Sequence, residues 1–103
     1  MIKLYLNILL FTLFLSFSAF PQSKILIYMD LNQTDHLKAY GITYRALTKS
    51  YKADWLLNYK GGSFLIDYSD ELAAECRVNN VAFETLSLSQ VTEIYSFVQN
   101  LNW

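Results

Sequence analysis

The chain is poor in the residues that usually announce a function. Its single cysteine, Cys76, excludes a disulfide scaffold. Its single histidine, His36, excludes a metal motif built on a histidine pair. No phosphate loop of the form G-x-x-x-x-G-K-[ST] and no G-x-G-x-x-G occurs, so no cofactor is implied. Basic charge is also short: residues 24–103 carry 7 Lys/Arg against 9 Asp/Glu. That balance excludes an electrostatic nucleic-acid binder, which needs a basic surface to neutralise phosphates. Proline is absent after Pro21, while the last 80 residues hold 12 aromatics. A disordered tail does not have that composition.

One stretch lacks charge altogether. Residues 4–20 (LYLNILLFTLFLSFSAF) follow Lys3 and end at Pro21-Gln22-Ser23. A short basic start, an apolar run and small residues at Ser16-x-Ser18 make residues 1–23 a secretory signal peptide. The competing reading is a retained anchor, since the run is at the lower limit for spanning roughly 30 Å of hydrocarbon. Either way residues 24–103 are exported, to the periplasm or cell envelope, and touch the membrane only through an uncleaved leader.

Residues 24–103 alternate strand-like and helix-like segments. Lys24–Met29 (KILIYM) is a continuous apolar run, the pattern of a strand covered on both faces. A helix is predicted from about His36 to Tyr51. Leu37, Tyr40, Gly41, Tyr44, Leu47 and Tyr51 share one face and form its expected inward side. Lys38, Arg45, Lys49 and Lys52 share another face, which reads as solvated. Gly41, costly inside a helix by about 1 kcal/mol, implies close approach of helix to sheet. Ala53–Tyr59 and Ser63–Ile66 are strands joined through Gly61-Gly62 as a hairpin. Ser69 caps a helix carrying Leu72, Ala73 and Cys76 inward. Val81–Leu86 is a further strand. Ser87-x-x-Gln90 is a capping box opening a last helix, with Leu88, Val91, Ile94, Tyr95, Val98 and Leu101 on its apolar face. The predicted fold class is α/β, with a mixed, largely parallel sheet flanked by helices in the order β-α-β-β-α-β-α. The final helix still runs at Trp103, so residues 24–103 read as the N-terminal part of a longer protein.

Polar groups concentrate in the loop after the first strand: Asp30, Asn32, Gln33, Thr34, Asp35 and His36. Ligands in open α/β sheets bind beyond strand carboxyl ends, against the next helix N-terminus. The loop is therefore a candidate site for a small polar ligand. The competing reading is plain helix capping by Thr34 or Asp35. Gly61, Gly62 and Ser63 form a second candidate as an anion-binding nest, against the simpler reading of a tight turn. Cys76 on an apolar helix face reads as a core residue, not a nucleophile.

Met29-Asp30, Gln33-Thr34-x-His36-Leu37-Lys38-Ala39-Tyr40-Gly41-Ile42, Asp54-Trp55-Leu56-Leu57-Asn58-Tyr59 and Gly61-Gly62-Ser63-Phe64-Leu65 carry a resemblance. The stretch Lys24–Ile66 resembles exported bacterial proteins labelled asparagine synthetase B, and the likeness continues weakly to Val81. Those proteins also start with a signal peptide and are several times longer. The label implies a ligase, yet residue 2 is Ile rather than the nucleophilic Cys of glutamine-dependent synthetases. Lys60-Gly61-Gly62-Ser63-Phe64 also lacks the leading Ser and the Asp of the S-G-G-x-D-S pyrophosphate loop. The expected function is therefore ligand or partner binding by an exported segment. The alternative is a glutamine amidotransferase-like or hydrolase enzyme with its catalytic residues beyond residue 103.

Overall fold

The computed structural model describes residues 21–101. The signal peptide expected at residues 1–23 falls almost wholly outside them. Seven elements follow in the predicted order: β1 (Lys24–Ile27), α1 (His36–Thr48), β2 (Ala53–Leu56), β3 (Ser63–Asp67), α2 (Asp70–Val78), β4 (Phe83–Leu86) and α3 (Leu88–Leu101).

The sheet corrects the sequence reading. Its strand order is β2-β3-β1-β4, and every neighbouring pair is antiparallel. The expected largely parallel sheet does not form. Each β-α-β crossover skips one position, and a third strand fills the gap. β3 enters between β1 and β2, and β1 lies between β3 and β4. This is the split β-α-β, ferredoxin-like arrangement. A β-α-β-β-α-β string suits either topology. The choice rests on which strand pairs with β1, a contact 39 residues away at Leu26↔Leu65.

The apolar β1 run is explained by layers on both sides. Ile25, Ile27 and Ile66 face α1 and α2, and pack with Ala39, Ile42, Ala46, Leu72, Ala73 and Cys76. Leu26, Leu65, Leu56 and Leu86 face the opposite way and meet Val91 and Ile94 of α3. Alternation along a strand sends neighbours to opposite faces, so a strand at the centre of a three-layer stack must be apolar throughout.

α1 turns a different face inward from the one expected. Ala39, Ile42, Thr43 and Ala46 are buried. Leu37, Tyr40, Tyr44 and Leu47 are exposed. The two alanines let the helix axis approach the sheet, where tyrosines would hold it off. Gly41 contributes nothing to that approach, because a Cβ there would meet no atom within 4 Å. The basic stripe is not simply solvated either. Arg45 pairs with Glu75 at 3.4 Å, and Lys49 pairs with Glu71, so it forms part of a seam with α2.

The caps form as their local chemistry dictates. Asp35 accepts the Lys38 N–H at 3.0 Å, and Ser69 accepts the Leu72 N–H at 3.0 Å. The Ser87 N–H donates to Gln90 Oε1 at 2.9 Å, one arm of the capping box. β2 ends at Leu56, sooner than expected, and residues 57–62 form the turn into β3.

Candidate functional site

Three connections converge at one end of the sheet: the β1–α1 loop, the β2–β3 turn and the α2–β4 turn. Both sequence-predicted clusters lie there and touch. The turn Lys60-Gly61-Gly62 runs at φ 45°, 74° and 84°. Gly61 presses on the neighbouring loop so closely that a Cβ would sit 2.7 Å from Met29 O and 2.8 Å from the Asp30 backbone. Ser63 is buried, accepts the Met29 N–H at 3.3 Å and donates to Lys60 O at 2.6 Å. It ties turn to loop.

The polar side chains of the loop are spent on the protein itself. The buried Gln33 carboxamide is saturated. Its Nε2 donates to Tyr28 O at 2.8 Å and Ala82 O at 3.0 Å. Its Oε1 accepts from the Thr34 N–H at 3.2 Å and the Ala82 N–H at 2.8 Å. Thr34 Oγ1 donates to Asn80 O at 2.9 Å, bracing the left-handed Asn80 turn. Asp30 accepts the Asn32 N–H at 2.9 Å, and its second oxygen lies 3.4 Å from Asn32 Nδ2. His36 Nε2 lies 2.9 Å from Asp30 O. The cluster therefore works as a bracket joining three loops, and each of its polar side chains already has a partner within the protein.

On the α3 side of this end, aromatic rings gather around a cation. Lys60 Nζ stands 5.1 Å from the Tyr28 ring centre and 5.8 Å from that of Tyr59. Tyr28 donates its hydroxyl to Glu84 at 2.6 Å. Burial and that carboxylate together push the Tyr28 phenol far above its usual range. Tyr59 meets Phe97 edge-on at 5.8 Å, and a cleft of about 420 Å³ opens beside Tyr59, Glu93, Ile94 and Phe97. A second cleft, about 530 Å³, lies beside Pro21, Ser87, Leu88, Ser89 and Thr92 and touches none of these loops.

Cys76 lies fully buried on α2, and burial pushes its thiol up to about 11. A nucleophilic thiolate needs the opposite shift. Among the described residues no group of three His, Cys, Asp or Glu side chains is placed to hold a metal ion.

The largest unexplained feature was not singled out as a surface from the sequence. Tyr40, Tyr44 and Leu47 on α1 stand 58%, 61% and 52% exposed. Trp55 on β2 is 62% exposed. Phe64 links the two groups, edge-on to Tyr40 and stacked on Trp55, each at 6.1 Å between centroids. The Trp55 indole N–H donates to Gly62 O at 2.8 Å, which fixes the ring over the hairpin. The available signal was a surplus. α1 carries two apolar stripes, Ala39/Ile42/Ala46 and Leu37/Tyr40/Tyr44/Leu47, and one helix face can bury only one of them against a sheet.

No family model, no curated protein and no solved structure matches this chain.

Proposed function

We propose that this chain is an exported α/β module that acts by docking a partner across α1 and β2. The observation that carries the reading is the exposed surface of Tyr40, Tyr44, Leu47 and Trp55 beside the outer edge of β2, which has no strand partner among the described residues. A contiguous apolar patch of that kind does not stabilise the fold it sits on and marks an interaction surface. The ligand reading of the Asp30–His36 loop gains less support, because its side chains are bonded within the protein. Export is inferred from Lys3 and the uncharged residues 4–20, and the resemblance to exported proteins points the same way.

The test is photo-crosslinking in the native host. A benzophenone side chain at Tyr44 of the full chain should give a discrete protein adduct. The same group at the exposed Gln99 on α3 should not. Absence of any adduct from Tyr44 would overturn the docking reading.

A further inference from the structure

We infer that the partner of this face is a second copy of the chain, joined by antiparallel pairing of β2 with β2 across a two-fold axis. The inference rests on the docking reading and names its occupant. An edge strand presents a row of unpaired backbone donors and acceptors, and proteins that stay monomeric blunt it with charged side chains, lysine above all, or with proline, a bulge or a cover. Among the described residues β2 has no lysine, no proline and no second strand partner. Its sequence is Ala53-Asp54-Trp55-Leu56, and its one charged side chain is already engaged by the Tyr95 hydroxyl.

Symmetry fixes the kind of register, and burial of the aromatic face selects among those it allows. A two-fold axis perpendicular to the sheet keeps α1 and Trp55 on the same side in both copies, so a residue of β2 must lie opposite itself. Centring on Asp54 would set two carboxylates face to face, which is unfavourable. Centring on Trp55 sets Asp54 opposite Leu56 of the other copy and Ala53 opposite Leu57. Trp55 then meets Trp55, with Tyr40, Tyr44 and Leu47 of each copy flanking the seam.

The area is adequate. Leu37, Tyr40, Tyr44, Leu47, Trp55 and Leu57 are each more than half exposed. At about 100 Å² apiece they offer roughly 600 Å², and the strand backbone brings this near the roughly 800 Å² per partner of a stable interface. Both contributions lie on one side of the molecule, as an isologous contact requires.

Sedimentation equilibrium of the full chain, as its host processes it, should show a concentration-dependent dimer. Tyr44→Glu and Leu47→Glu, both at exposed positions, should weaken it at least about ten-fold while leaving unchanged the circular dichroism melt taken at a dilution where the wild-type chain is monomeric. In a Cys76→Ala background, Trp55→Cys should form a disulfide-linked dimer under mild oxidation, because only a self-opposed residue brings its own Cβ within bridging distance. A Leu37→Cys control should not. A wild-type chain that sediments as a monomer at about 100 µM would overturn the second copy. So would an adduct from Tyr44 that joins only a different protein, though that result leaves the docking surface standing. No adduct at all removes both.

Discussion

The Gln33 carboxamide grips both backbone groups of Ala82, donating to its carbonyl at 3.0 Å and accepting its N–H at 2.8 Å. The side chain thereby imitates a strand neighbour and welds the β1–α1 loop to the start of the last strand segment. Gln33→Ala leaves the half-buried Ala82 N–H without its acceptor, and Tyr28 O also loses a donor. Each orphaned group costs about 1–3 kcal/mol, so the substitution should cost about 3 kcal/mol in urea unfolding. Asn32→Ala, which removes only an exposed contact to Asp30, should stay within about 0.5 kcal/mol. Equal small effects at both positions would contradict the bracket.

Two glycines should respond with opposite signs. Gly61→Ala places a methyl group 2.7 Å from Met29 O at a positive φ, so thermal unfolding should show a loss of at least about 2 kcal/mol. Gly41→Ala meets nothing within 4 Å and gains helix propensity, so it should stabilise by about 0.5–1 kcal/mol. A neutral Gly61→Ala variant would mean that turn and loop are not packed together.

Cys76 should resist thiol reagents. With the thiol pushed up to about 11 and buried, about one molecule in a thousand carries the thiolate at pH 8. Labelling should run at least about 100-fold slower than in urea, and Cys76→Ala should cost about 1 kcal/mol. Rapid labelling of the native chain would show an accessible, activated thiol.

Acid should release the bond between Lys24 and Asp67. Asp67 accepts from the Lys24 ammonium at 2.5 Å and from the Lys52 N–H at 2.9 Å, and these hold its carboxyl below the ordinary value. The unfolded chain therefore binds this proton more readily. The contact's stability is present above about pH 4 and drains away as pH falls through the folded value. Asp67 is a third exposed, so Asp67→Asn should cost only about 1 kcal/mol at pH 7. Chemical unfolding should show that gap narrowing at about pH 3. An unchanged gap would mean that the carboxylate charge is not what the contact uses.

Base should loosen α3. Burial and the bond to Asp54 push the Tyr95 phenol up to about 12. A raised value means stability that is complete below about pH 10 and lost as pH rises through about 12. Spectrophotometric titration should show three tyrosines ionising late, since Tyr28 and Tyr68, each bonded to a carboxylate, are raised as well. Tyr95→Phe should delete one of the late three, and three surviving late tyrosines would break the assignment.

What the sequence determined by itself was local. Asp35, Ser69 and the Ser87–Gln90 pair act within four residues, so the caps and the order of seven elements were legible from spacing alone. The continuous apolar run of β1 also announced cover on both faces. Tertiary structure decided the rest. Strand direction depended on whether β3 or another strand reached β1, and no local pattern encodes a partner 39 residues away. The inward side of α1 was decided by fit. Ala39 and Ala46 admit the sheet closely, and Tyr40 and Tyr44 do not, so the larger stripe was left outside with Trp55. The candidate loop shows the same division. Gln33 could be read as a free donor and acceptor only until Ala82 arrived, 49 positions along the chain, to occupy it.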